Sequence, residues 1–211
     1  MKKVLITVAG FLFMTASAFA NVGISVQALY YDASGSETLK QSSKKTNKDE
    51  SGMAPVASIF MEGETSGGQI VGVELSPYSA KIGDGSMLND DDAETSGTNK
   101  VDVKLKNLVS LYLESPVSSG VDGSFVRAAV NHGTMVTDET SSTGSTYGDE
   151  TLTGVTLGYG IKRDLPNGNG FYKVVAEISH FQGATFDAEN TSNKIELDDF
   201  QTAAIRLSVG Y

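Results

Sequence analysis

Six charged side chains are the first candidates for chemistry. Glu74, Lys104, Arg127, Lys173, Glu177 and Arg206 each stand inside a stretch where polar and apolar residues alternate, and each lies at the polar parity. If those stretches lie side by side, the charges converge. Their chemistry is then ion pairing, because an unpaired buried charge is costly. The pattern predicts a structural interior charge network, with a gated ion path as the competing use of the same groups. His132 and His180 are the only histidines. Ser179 precedes His180, but neighbours in a strand point to opposite faces, so the two do not form a direct Ser–His pair. A serine from elsewhere stays open as a partner.

No other constellation carries a reaction. The run Asn89-Asp90-Asp91-Asp92-Ala93-Glu94 is acidic but lacks the D-x-[DN]-x-[DN]-G spacing of a calcium loop, so it reads as a solvated acidic segment. There is no cysteine, which removes disulfides and thiolate metal sites. No catalytic, cofactor-binding or metal-ligating residue is assigned.

The elements that must position these groups follow from periodicity. The first 20 residues form a separate unit: Lys2 and Lys3, an apolar run over Val4–Met14, then Ala18-Phe19-Ala20. This is the pattern of a secretory signal peptide cleaved after Ala20. The mature domain is then Asn21–Tyr211. It keeps 14 of the 16 basic residues and all 26 acidic ones, a net charge of −12, which argues against nucleic-acid binding.

Period-two alternation recurs in eight segments: Asn21–Tyr31, Ala57–Glu62, Val71–Ser76, Val101–Glu114, Val126–Asn131, Val155–Lys162, Lys173–Ser179 and Thr202–Tyr211. Alternation of this length predicts strands. The connections near 32–52, 82–100, 137–150 and 182–197 are long, and those near 63–68, 115–121 and 164–170 are short. Asn167-Gly168-Asn169-Gly170 is a strong turn signal. Long and short connections alternate, as in barrels with long extracellular loops and short periplasmic turns.

The charges decide which face meets which solvent. The apolar parity carries no charge in the central part of any strand, whereas the polar parity carries the six named above. An Arg or Lys facing lipid near the midplane costs about 2–4 kcal/mol, so the charge-free face suits hydrocarbon. The sequence therefore predicts an all-β fold, an eight-stranded antiparallel up-and-down transmembrane β-barrel in the outer membrane. Asn107 interrupts the apolar parity of its strand, and a bulge over Lys106–Leu108 would turn it inward. The basic stretch Lys40–Lys48 is a candidate contact for lipopolysaccharide phosphates, with disorder as the alternative. The segment Thr137–Gly148 carries no readable motif.

The terminal pattern Ala203-x-Ile205-x-Leu207-x-Val209-x-Tyr211 resembles the last strand of outer-membrane proteins. That resemblance implies that Ile205, Leu207, Val209 and Tyr211 form the signal read by the barrel assembly machinery. The segments Gly154–Ile161, Phe171–Phe181 and Thr202–Tyr211 look like the small OmpA/OmpX and opacity-type barrels, here without a peptidoglycan-binding domain. The resemblance implies a monomer in contact with outer-membrane lipid and lipopolysaccharide. It is expected to be non-enzymatic, to support envelope integrity and to display four extracellular loops for surface interaction or adhesion. A narrow pore for small solutes or ions is the second expectation. The third is a lipid A-modifying enzyme, since some such barrels use a His with a Ser nucleophile.

Overall fold

The computed structural model describes residues 20–39, 43–89, 97–118, 120–141, 145–166 and 168–211. The predicted signal segment, apart from Ala20, and the acidic run, apart from Asn89, lie outside the described residues. Ten strands follow in order: β1 (Ala20–Thr38), β2 (Lys45–Glu64), β3 (Ile70–Ser76), β4 (Ala80–Asn89), β5 (Gly97–Pro116), β6 (Ser124–Ser141), β7 (Glu150–Asp164), β8 (Phe171–Phe181), β9 (Ala184–Asp187) and β10 (Lys194–Gly210).

All pairings are antiparallel, and β10 returns to β1 to close the ring. β3 pairs with the lower part of β5 and β4 with its upper part, so the two are halves of one wall strand interrupted around Pro77. β8 and β9 share β10 in the same way. The wall therefore has eight strands, as the alternation predicts. At the seam, the Val22 N–H donates to the Tyr211 carbonyl and the Tyr211 N–H to the Val22 carbonyl, both at 3.0 Å.

In the lower wall the apolar parity faces outward. Ile24, Leu157 and Ile178 are 62, 63 and 64 % exposed, whereas Glu62, Glu74, Glu114 and Arg127 are buried. A water-soluble barrel would show the reverse. The exposed apolar belt is the surface of a barrel whose outside meets hydrocarbon. One expected result follows. Leu157→Arg lowers the unfolding free energy in lipid vesicles by about 2–4 kcal/mol, whereas an Arg at exposed Thr151, higher on the same strand, changes it little. Equal urea midpoints for the two variants would show that Leu157 does not face lipid.

The short connections are tight turns. The Leu165 N–H donates to the Gly170 carbonyl at 2.8 Å and the Gly168 N–H to the Leu165 carbonyl at 2.9 Å. Gly168 has a φ of 69°, a backbone state that glycine adopts without steric cost.

The long connections differ from the sequence expectation. Most of their length is strand, and the wall continues upward as a crown of paired hairpins. The reason is an inversion of the two faces. Above the lipid the outside meets water and the inside is apolar, so the parity that marks a strand below reverses above. On β4, β5 and β10 a bulge carries the reversal, whereas on β1 and β2 the inward parity continues and its residues change from polar to apolar. On β5, Lys106 pairs with Thr134 and Val109 with His132, which leaves Asn107 and Leu108 opposite one residue of β6. Asn107 takes a φ of 52°, which asparagine tolerates better than most side chains. A second irregularity falls at Ile82 on β4, and a third at Asp198 on β10.

Asn107 itself is exposed, so the bulge turns Leu108 inward and not Asn107. Below it, Ser110, Tyr112 and Glu114 are buried. Above it, Leu105 is buried and Val103 packs against the same cluster. Val101, Val103 and Leu105 therefore do not continue the lipid face of Val109, Leu111 and Leu113, as unbroken parity suggested.

Candidate functional site

The lumen is filled in layers. The lowest complete layer is ionic and draws on six of the eight wall strands. β2 supplies Glu62, β3 Glu74, β5 Tyr112 and Glu114, β6 Arg127, β8 Lys173 and Glu177, and β10 Arg206. Each of these side chains is buried, Glu62 completely.

Lys173 Nζ donates to Glu62 Oε2 at 2.6 Å and to Glu114 Oε2 at 2.5 Å. The Tyr112 hydroxyl donates to the same Glu62 oxygen at 2.6 Å. Arg127 forks between Glu114 Oε1 at 2.8 Å and Glu74 Oε2 at 2.9 Å. Its guanidinium carbon stands 3.7 Å from the centre of the Tyr112 ring, a cation–π stack. Arg206 Nη2 donates to Glu177 Oε1 at 2.5 Å, and Arg206 also bridges Glu74, which accepts from Ser58 as well. Gly72 stands directly across from Tyr112, and a Cβ there would lie 2.3 Å from the ring. The missing side chain is what lets the ring lie across the lumen.

The structure thus brings together Glu74, Arg127, Lys173, Glu177 and Arg206. It does not include Lys104. That side chain sits above the Asn107 bulge, where the parity has flipped, and it pairs on the outside with Asp138. The hydrogen bond from Lys104 holds the Asp138 carboxyl below its ordinary range. The small contribution of this surface pair is present at neutral pH and is lost as the pH falls through that lowered value. Glu62, Tyr112 and Glu114 complete the lattice. All three sit at polar parity in the sequence, and the signal for them was that parity carried to the strand ends.

Above the lattice lies a small polar layer. The Ser110 hydroxyl donates to Asn131 Oδ1, and Asn131 Nδ2 donates to Thr156 Oγ1, both at 2.7 Å; Thr156 and Ser179 share a further hydrogen bond. Then comes an apolar plug that includes Leu29, Leu105, Leu152, Phe181 and Phe200. Above the plug the crown lines a half-open cavity of about 330 Å³, with Ile82, Val103, Met135, Phe186 and Leu197 in its wall.

The crown segments are tied to one another. Tyr147 bridges to Ala188 as an isolated β-pair. The Thr146 N–H donates to Asn190 Oδ1 at 2.9 Å, and Asn193 Nδ2 donates to Ser145 at 3.0 Å. The Tyr147 hydroxyl reaches across to Glu37 at 3.1 Å. The segment Thr137–Gly148, unreadable as sequence, supplies the residue that clamps the crown.

The histidines stand apart from the lattice. His180 is exposed on the outer wall, with Nδ1 3.3 Å from Asp199 Oδ1. The Ser179 hydroxyl is turned to Thr156, and among the described residues no hydroxyl hydrogen-bonds the His180 ring. His132, half-buried on β6, pairs with Val109 and Thr153 across the wall. No cluster of three or more metal-ligating side chains occurs among the described residues. Ile205, Leu207 and Val209 lie exposed on β10, and Tyr211 ends the chain, exposed at the seam.

No family model and no curated protein matches the sequence. Solved structures do match. The outer membrane protein OprG from Pseudomonas aeruginosa is similar at 10 % identity over 91 % of this chain and 96 % of its own, with a TM-score of 0.54. That likeness is one of fold. The outer membrane protease OmpT from Escherichia coli matches with a TM-score of 0.45, at 10 % identity over 91 % of this chain and 96 % of its own. Ail, the attachment invasion locus protein of Yersinia pestis, matches with a TM-score of 0.39, at 11 % identity over 90 % of this chain and 99 % of its own.

Proposed function

We propose that this outer-membrane barrel is a closed, non-enzymatic wall element that supports envelope integrity and carries a built crown for contact at the cell surface. The observation behind this reading is the ionic lattice. Eight side chains from six strands interlock across the lumen below a second, apolar plug. Eight strands leave an interior that side chains can fill, and here charged groups fill it in mutual contact. What remains for interaction is the crown, whose hairpins are strapped together through Tyr147, Ala188 and Asn190.

The partners follow from the surfaces. The apolar belt contacts lipid, and the basic residues Lys44, Lys45 and Lys48 on the first hairpin contact lipopolysaccharide phosphates. Ile205, Leu207, Val209 and Tyr211 serve as the signal for the barrel assembly machinery. The protein acts as a monomer. His180 stands on the outer wall 3.3 Å from Asp199, and among the described residues no hydroxyl hydrogen-bonds its ring, so it lacks the nucleophile that a lipid-modifying site needs.

Planar-bilayer recording of the refolded protein tests this reading. The expected trace shows no stable conducting steps. Steps of porin size would replace the closed wall with the pore reading. A loss of one acyl chain from lipid A in cells that express the protein would replace it with the enzyme reading.

A further inference from the structure

The crown cavity is more than a gap between hairpins. Three separate irregularities, at Asn107, Ile82 and Asp198, turn apolar side chains inward at this level. The plug below is filled by Leu29, Leu152, Phe181 and Phe200, but the space above it is left open at about 330 Å³. That volume is at the small end of ligand sites, which are mostly apolar with a few placed polar groups.

The charged groups of the lining are five carboxylates and two lysines, Lys44 and Lys48, so carboxylates are in excess. Several acids reach the cavity, and most have a lysine: Glu50 with Lys48 at 3.2 Å, Asp84 with Lys81 at 2.9 Å, and Glu196 with Lys194 at 2.7 Å. Glu37 and Glu139 differ. Both line the cavity, and both are held by one residue, Tyr147, through neutral donors. The hydroxyl donates to Glu37 Oε1 at 3.1 Å, and the backbone N–H donates to Glu139 Oε1 at 3.2 Å. Among the described residues neither has a cationic partner. Hydrogen bonds from neutral groups fix the two carboxylates in place without cancelling their charge.

We infer that the crown cavity is a binding site for a small amphiphile with a single amine or quaternary-ammonium head. The apolar body sits against Val103, Met135, Phe186 and Leu197, and the head lies along the Tyr147 side chain, which has Glu37 at its hydroxyl end and Glu139 at its backbone end. The site goes beyond the closed-wall reading and survives if that reading fails, because it lies above the plug.

The test uses the full barrel in lipid nanodiscs with methyl-labelled methionine, so that Met135 in the cavity wall reports occupancy by NMR. The probes are benzyltrimethylammonium, benzyl alcohol and benzenesulfonate, which share a ring and differ in charge. The expected result is a saturable shift of the Met135 methyl with the ammonium probe. The alcohol should bind about tenfold more weakly, and the sulfonate should not bind. The double substitution Glu37→Gln/Glu139→Gln keeps both side-chain shapes and should weaken the ammonium probe about tenfold or more while leaving the alcohol unchanged. Val103→Phe, which fills the cavity, should weaken both. If the three probes bind alike, if the double variant binds the ammonium probe as well as the parent, or if no probe moves Met135, the proposal is wrong. A gel-mobility shift on boiling shows that each variant is folded. Should Val103→Phe fail to fold, the Gln pair still decides the question.

Discussion

Arg127→Leu is expected to lower the unfolding free energy of the barrel in lipid vesicles by about 3–5 kcal/mol, the cost of leaving buried charge without its partner. Arg127 holds Glu114 and Glu74 at once and covers the Tyr112 ring. Its loss leaves two buried carboxylates short of a cation in a lumen where water cannot easily replace it. Lys104→Leu supplies the contrast. That lysine also pairs with a carboxylate, but on the outer surface of the crown, where solvent screens such pairs and they contribute little. Urea titration of both variants in the same vesicles reads the difference directly. Similar midpoints would mean that the interior charges are hydrated and the lattice does not hold the wall. A charge-conserving Arg127→Lys should fall between the two, because a lysine cannot fork to Glu74 and Glu114 in one plane.

Asn107→Val is expected to cost about 1–3 kcal/mol, because a β-branched side chain at a φ of 52° is strained. Straightening β5 with the residue kept would relieve that strain, but a one-residue slip exchanges the two faces of a strand. Turning over drives Lys104 and Lys106 into the apolar plug and puts Leu105 and Val103 into water. Deleting Asn107 should have the opposite outcome. Asn107 and Leu108 stand opposite one residue of β6, so the deletion leaves Leu108 there alone and keeps Lys106 on Thr134 and Val109 on His132. Cysteine labelling in intact cells follows both variants. In the parent and in the deletion, Lys104→Cys is modified by a water-soluble maleimide and Leu105→Cys is not. A deletion in which the two exchange would show that Asn107 is not the extra residue that sets the register.

These two results bear on what the sequence could and could not show. The eight wall strands were legible because hydrocarbon imposes a strict rule on one face. No charge is allowed there, and the other face shows up by contrast, as along Ile205, Leu207 and Val209 against Arg206 and Ser208. The lattice was legible only in part. Glu62 and Glu114 lie near strand ends, where a carboxylate usually meets headgroups or water, and nothing in one dimension says that Lys173 reaches both. Lys104 was misplaced because parity was counted through a bulge. Asn107 marked that bulge as a polar residue in an apolar row, but the row resumed on both sides of it. The direction in which the faces exchanged could not be read without the partner strands. The crown was the least legible part. Once the solvent outside changes from lipid to water, apolar residues move from the outer face to the inner one, and a reader tracking the lipid face sees the pattern end.

The strapping of the crown has a consequence for anything that recognises this cell from outside. Tyr147 and Thr146 are joined in space to Ala188 and Asn190, more than 40 positions along the chain, and Tyr147 to Glu37 on the opposite side of the ring. A phage fibre or an antibody that lands on this surface therefore meets a composite epitope drawn from several hairpins. Short synthetic copies of single hairpins should be poor immunogens and poor decoys. Escape from recognition need not occur at the contact itself: a change at Asn190 that unties Thr146 would redraw the surface around it while leaving the lipid-embedded wall untouched.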